Sequence, residues 1–207
     1  MFQLELVWGV MNTKLIALVF VCGVLLIGCG SGGSDGYIPI HSGKVTVVGD
    51  SIIYLWQEDG TFPEKWANRG VPGDTVDGVL KRIGEIIKEK PSEIVVAIGT
   101  NDLSEDGVYD FSIKLGLLIE IIKNSHIKLT VVSILPRLDS LQDYVSQYNT
   151  AINGICDLYT VDYFDISGSF YLPDGSVNSS LFENEVHPNH DGYAVMTSLY
   201  KEHWGLQ

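Results

Sequence analysis

The sequence predicts an α/β protein: a three-layer α/β/α sandwich built around a five-stranded parallel sheet. Three observations carry that expectation. From Lys44 onward, short apolar runs of strand length alternate with longer stretches of helical period. The short runs are almost continuously apolar, as strands covered on both faces must be. Alternation of this kind implies parallel strands joined by right-handed crossovers. Finally, the chain has 207 residues, 45% of them hydrophobic, which suits one sizeable core and suggests one domain.

Taken in order, residues 45–48 form an apolar run that ends at Gly49 and reads as a buried strand. Residues 66–69 are a weaker strand candidate. Asp74 or Thr75 then caps a helix whose apolar positions are Val76, Val79, Leu80, Ile83, Ile86 and Ile87. Residues 94–98 make another buried-type strand, followed by a helix over 113–122, a strand over 129–135 and a helix over 141–158. A short strand at 163–166 and a helix at 192–203 complete the pattern. Cys156 falls in step with Val145, Tyr148, Ile152 and Tyr159, so it reads as a small core residue rather than a nucleophile. Strand order is not readable from periodicity; a flavodoxin-like order is expected. No internal repeat is evident.

The amino-terminal residues have a different character. Residues 1–10 contain Glu5 and no basic residue, whereas Met11 opens a better export signal, with Lys14 ahead of an apolar run over 15–27. That run is short for a membrane-spanning helix, which needs about 20 apolar residues. It closes with Leu26-Ile27-Gly28-Cys29, which resembles the lipobox of bacterial lipoproteins. The resemblance implies cleavage before Cys29 and a diacylglycerol on its thiol. The plainer readings are an ordinary signal peptide or a buried hairpin strand. The expected organisation is a signal peptide over 1–28 with Met11 as the true start, a lipidated Cys29 with a Gly/Ser tether over 29–41, and a folded domain over 42–207. The implied location is the cell envelope, on the periplasmic or extracellular face of a bacterial membrane. With Cys22 removed and Cys29 acylated, Cys156 has no disulfide partner.

Charge narrows the partners. The formal net charge is −13, and no run of Lys and Arg is present to neutralise phosphates, which argues against nucleic acid. Anionic lipids also repel such a surface, so membrane attachment would come from the lipid anchor.

In open parallel sheets, ligands bind beyond the carboxyl ends of the strands. Gly49-Asp50-Ser51 follows the first predicted strand, and Asn68-Arg69-Gly70 ends the second. Gly99-Thr100-Asn101-Asp102 follows the third, and His187-Pro188-Asn189 lies after the fifth. All four clusters should meet at one rim, and each suits a part of acyl transfer. Ser51 would sit where a strand turns into a helix, with its N–H near the helix start, which favours developing negative charge. A neutral serine needs an adjacent base, for which histidine is the usual choice near neutral pH. The Ser51 N–H, an unobstructed Gly70 N–H and the Asn101 carboxamide would surround an oxyanion.

Gly-Asp-Ser, an isolated Gly, Gly-Thr-Asn-Asp and a late His-Pro-Asn, in that order, resemble the four blocks of SGNH (GDSL-type) hydrolases. The resemblance spans about residues 45–193. The stretch Asn68-Arg69-Gly70-Val71-Pro72-Gly73-Asp74-Thr75 looks like the branch of platelet-activating-factor acetylhydrolase-like and carbohydrate-acetylesterase proteins. Block by block, it implies Ser51 as nucleophile, His187 as base, and Ser51, Gly70 and Asn101 as oxyanion hole. The implied activity is cleavage of a small O-acyl ester, acetyl above all, on a sugar or lipid through an acyl-serine intermediate. No cofactor and no metal are called for. Ile52 stands where the family often has Leu, a minor change.

One departure matters. The family usually places Asp three residues before the catalytic His to complete the triad; here that position is Asn184. An amide there can favour the wrong tautomer and removes the charge that supports imidazolium. His187 is oriented either by Asn184 itself as the third catalytic residue, since cysteine proteases run with an Asn in this role, or by a surrogate, Glu183, Glu185 or a backbone carbonyl, toward which the expectation leans. The alternative function is a lipid-anchored binding module for carbohydrate or lipid, with the SGNH fold but weak or no activity. His41, His126 and His203 read as solvated or structural, and His190 as part of a helix cap. The aromatics read mostly as core; Trp56, just past Ser51, is the candidate substrate platform.

Overall fold

Five parallel strands form one sheet in the order β2-β1-β3-β4-β5: β1 (Val45–Gly49), β2 (Ala67–Gly70), β3 (Glu93–Ala97), β4 (Lys128–Val132) and β5 (Asp162–Phe164). The computed structural model describes residues 43–206. The expected signal segment, Cys29 and the tether lie outside the described residues. Helices α1 (Ser51–Glu58), α2 (Val76–Lys88), α3 (Val108–Asn124) and α4 (Gln142–Tyr159) connect the strands, and α5 (His190–Trp204) follows the last.

Side chains alternate across a strand, and the alternation sorts the core into two layers. Val48, Val96 and Val131 pack with α2, α3 and α4, whereas Val47, Val95 and Val132 pack with α1 and α5. Both faces of the central strands β1, β3 and β4 are covered, which is why their sequences are mostly apolar, whereas the edge strands β2 and β5 are only partly buried. The chain leaves β1 toward β2 and then returns past β1 to β3. That reversal puts α1 on the opposite face from α2 and opens a crevice beyond the ends of β1 and β3. The expected flavodoxin-like order is the observed one.

Several boundaries differ from the sequence expectation for local reasons. The strand expected over 129–135 stops at Val132. Beyond it, the Asn149 carboxamide on α4 accepts from Ile134 N at 2.7 Å and donates to Ile134 O at 2.9 Å, replacing ladder bonds. α3 begins at Val108 rather than 113, because Phe111 N already bonds to Gly107 O at 3.0 Å. Of the two candidate caps for α2, Thr75 accepts from Gly78 N, and Asp74 instead pairs with Arg82 at 2.8 Å. Trp56 is not a substrate platform. It is fully buried, donates its indole N–H to Thr197 Oγ1 on α5 at 2.9 Å, and meets Phe62 and Tyr200 edge-on. Cys156 lies in the core as expected, and burial pushes its thiol up to about 12, which leaves it inert.

Candidate active site

Ser51 is the first residue of α1, and His187 lies three residues before α5. The turn between is fixed by Asn189, which caps α5 by accepting from Gly192 N at 3.0 Å and donates to Ser180 O at 2.8 Å. His187 Nε2 thereby comes within 2.9 Å of Ser51 Oγ, across 136 positions of sequence. The ring's other nitrogen, Nδ1, lies 3.1 Å from Asn184 Oδ1. Of the two expectations, the geometry matches Asn184 rather than a surrogate: Glu183 and Glu185 make backbone bonds here, Glu183 N to His187 O and Glu185 O from Leu138 N.

Asn184 also answers the tautomer problem. Its Oδ1 accepts from the backbone N–H of Val186 and of His187, each at 3.0 Å, so the amide oxygen is the atom turned toward the ring. An oxygen with no proton can only accept, so Nδ1 carries the hydrogen and Nε2 presents a lone pair to Ser51. What the amide lacks is only the negative charge. Burial, and after it the Arg137 guanidinium, hold the imidazole below its ordinary value, so the neutral, proton-accepting form is favoured.

The oxyanion side departs from expectation in one respect. Gly70 N–H is not unobstructed: the Asn68 carboxamide accepts it at 2.8 Å while donating to Ile53 O on α1 at 2.6 Å. The bond follows from an Asn two residues before a Gly, a spacing that favours side-chain-to-backbone turns. Gly70 has no alternative residue, since a Cβ there would sit 2.3 Å from Tyr54 N and 2.9 Å from Asp50 O. Asn101 donates one amide proton to Asp74 O at 2.8 Å, which orients the carboxamide and leaves its second proton. Gly99 supplies the turn into this block at φ +130°, a conformation that side chains rarely adopt.

Asp50 and Asp102 have structural duties. Asp50 is buried and caps α1 by accepting from Ile52 N at 2.9 Å. Burial pushes its carboxyl up to about 7 against that bond, aided by the charges of Asp102 and Asp74. Asp102 receives Val76 N on both oxygens at 3.2 Å and is pushed up to about 6, mainly by burial. For Asp50 the native state holds its proton to higher pH than the unfolded chain, so stability falls as pH rises from about 4 toward 7. Asp50→Asn keeps the cap without the charge. At pH 8 its melting temperature should exceed wild type by roughly 5 °C or more, and the gap should narrow toward pH 4. Equal melting at both pH values would show that Asp50 carries no such burden.

The sequence reading missed Arg137. Its guanidinium is buried, pairs with both oxygens of Asp139, and donates to Thr100 O at 3.3 Å and Thr100 Oγ1 at 3.0 Å. A charged residue two positions past the apolar run over 129–135 was the available signal, by the same strand-end rule that found the other clusters. Of the remaining histidines, His190 opens α5 and bonds to Asp59 at 3.0 Å, His203 stacks on Phe164, and His126 occupies an exposed turn. His41 lies outside the described residues.

Solved structures share this fold. A GDSL-like lipase from Bacteroides thetaiotaomicron is 22% identical, with 77% of this chain and 86% of that chain covered and a TM-score of 0.70. An acetylxylan esterase from Geobacillus stearothermophilus is 20% identical, covering 82% and 97%, with a TM-score of 0.66. An alpha/beta hydrolase enzyme from the metagenome of Lake Arreo, Spain, is 16% identical, covering 82% and 99%, with a TM-score of 0.65. At these identities the likeness carries the fold alone. No curated protein matches. The model of the GDSL-like Lipase/Acylhydrolase family matches residues 47–195, from β1 into α5 and across all four clusters of the site. The chain belongs to that family and is an ester hydrolase.

Proposed function

We propose that the protein cleaves small O-acyl esters, acetyl esters of sugars above all, through an acyl-serine intermediate. The observation that carries this reading is the relay Ser51 Oγ–His187 Nε2–Asn184 Oδ1, at 2.9 and 3.1 Å. Ser51 Oγ attacks the ester carbonyl carbon as its proton passes to Nε2. The tetrahedral intermediate collapses, and the alcohol departs with that proton. Water then attacks the acyl-enzyme, giving a proton to Nε2, and the carboxylic acid leaves as Ser51 regains it. The Ser51 N–H, the free Asn101 amide proton and the Gly70 N–H, once released by Asn68, surround the oxyanion. The Geobacillus acetylxylan esterase supports a sugar acetate. The purified domain should turn over p-nitrophenyl acetate, favour it over the octanoyl ester, and be labelled on Ser51 by a fluorophosphonate. Absence of both labelling and turnover would favour the binding-module reading.

The same proposal places the enzyme on a membrane through Cys29, on the strength of Leu26-Ile27-Gly28-Cys29 behind Lys14. In a bacterial host the full chain should fractionate with membranes and incorporate labelled palmitate, and Cys29→Ser should lose both. One acyl chain binds only marginally, so stable attachment implies more than one. A soluble, unlabelled product starting elsewhere than Cys29 would refute the anchor.

A further inference from the structure

The loop between β4 and α4 touches two of the blocks on which the proposed reaction depends. Through Arg137 it holds Thr100, the residue before Asn101, by both carbonyl and hydroxyl. One residue on, Leu138 N donates to Glu185 O at 2.8 Å, the residue after Asn184. Asp139 closes the unit: its carboxylate takes Arg137 Nε at 2.9 Å and Nη2, and also accepts from Leu141 N at 3.1 Å. Only 8% of Arg137 is exposed, and a buried guanidinium persists only when paired and hydrogen-bonded.

We propose that the Arg137–Asp139 pair is a positioning device for the reaction, holding the loop of the oxyanion donor Asn101 to the loop of the base His187. Its guanidinium also acts on His187, where, after burial, it disfavours the imidazolium. His187 meets Ser51 from α1 and neutral Asn184 from its own loop, and the Arg137 guanidinium, paired with Asp139, acts on it from the β4–α4 loop. Glu183 and Glu185 flank Asn184 on that same loop, and His190, paired with Asp59, follows on α5. With the triad carboxylate absent, that charge adds to burial in favouring the neutral form of the base.

The inference rests on the proposed esterase reaction, but one of its tests does not. Arg137→Met removes the cation, so the His187 titration, followed by NMR of the imidazole C–H, should move up. Asp139→Asn leaves Arg137 uncompensated, so the same titration should move down. Both variants break the same ion pair, so mere loosening of the loop would move them in the same direction. Opposite shifts support the proposal; shifts of one sign, or none, overturn it. Arg137→Lys keeps the charge but loses the planar fork that reaches Thr100. It should hold the titration near wild type while lowering kcat about 10–100-fold with KM within about twofold, the signature of a misplaced donor. An unchanged kcat in Arg137→Lys would overturn the positioning role. If Arg137→Met does not fold, the downward shift in Asp139→Asn and the kcat loss in Arg137→Lys still decide the matter. Opposite shifts in the two variants, with a wild type that cleaves no ester, would sink the acyl-serine reading and leave the grip on His187 standing.

Discussion

Ser51→Ala should lower kcat for p-nitrophenyl acetate by about 10⁴-fold or more, and His187→Ala should cost about as much. The reason is the single bond that joins them. With Ser51 Oγ 2.9 Å from His187 Nε2, neither group acts alone: the serine is a weak nucleophile without the base, and the base has nothing to activate without the serine. The two losses should therefore not add, and the double variant should be no slower than either single one. Residual rate over water should remain, because Ser51 N–H, Gly70 and Asn101 are untouched. Steady-state kinetics beside a melting curve for each variant separates chemistry from folding. Wild-type turnover in Ser51→Ala would end the acyl-serine mechanism.

Asn184→Asp should raise turnover by about tenfold near neutral pH, a gain of about 1.4 kcal/mol in the transition state. In serine proteases the reverse change costs about 10⁴-fold, mostly through the wrong tautomer. Here that loss has already been avoided, since Val186 N and His187 N fix the oxygen toward the ring. A carboxylate keeps both of those bonds and the contact to Nδ1, and adds only charge. Asn184 is exposed, so water screens part of that charge and the gain stays modest. The sign for pH follows: a negative neighbour favours imidazolium, so the acid limb of the kcat profile should move up relative to wild type. Turnover unchanged, with an unmoved limb, would show that the wild-type site needs no anion at this position.

The sheet and the meeting of its loops were legible because two periodicities speak directly of burial. Residues 45–48 and 94–98 are too apolar to be anything but doubly covered strands, and the strand-end rule then places Ser51, Gly70, Asn101 and His187 on one rim. What was not legible depends on side-chain orientation. The partner of His187 turned on which end of an amide faces a ring, and that was settled by two backbone N–H groups one turn away. Gly70 N–H looked free because an Asn two positions earlier can point either way until α1 packs against it. Trp56 lies one turn past Ser51 in sequence, but the opposite face of a short helix is enough to bury it. Arg137 and Asp139 escaped notice because two residues of opposite charge in a loop look like solvated surface until Thr100 is brought to them.

The grip of Asn68 on Gly70 has a consequence for selectivity between ground state and transition state. A substrate's ester carbonyl is a neutral acceptor, no stronger than the amide oxygen that already holds the Gly70 hydrogen at 2.8 Å. Exchanging one for the other gains nothing, so this donor adds little to substrate affinity. A tetrahedral oxyanion is different: hydrogen bonds to charged acceptors are roughly twice as strong as neutral ones. The hydrogen then moves to the oxyanion, and its contribution appears only at the top of the barrier, in kcat rather than in KM. Asn68 thus acts as a reference acceptor, an internal competitor whose strength sets the threshold of charge above which the third donor engages.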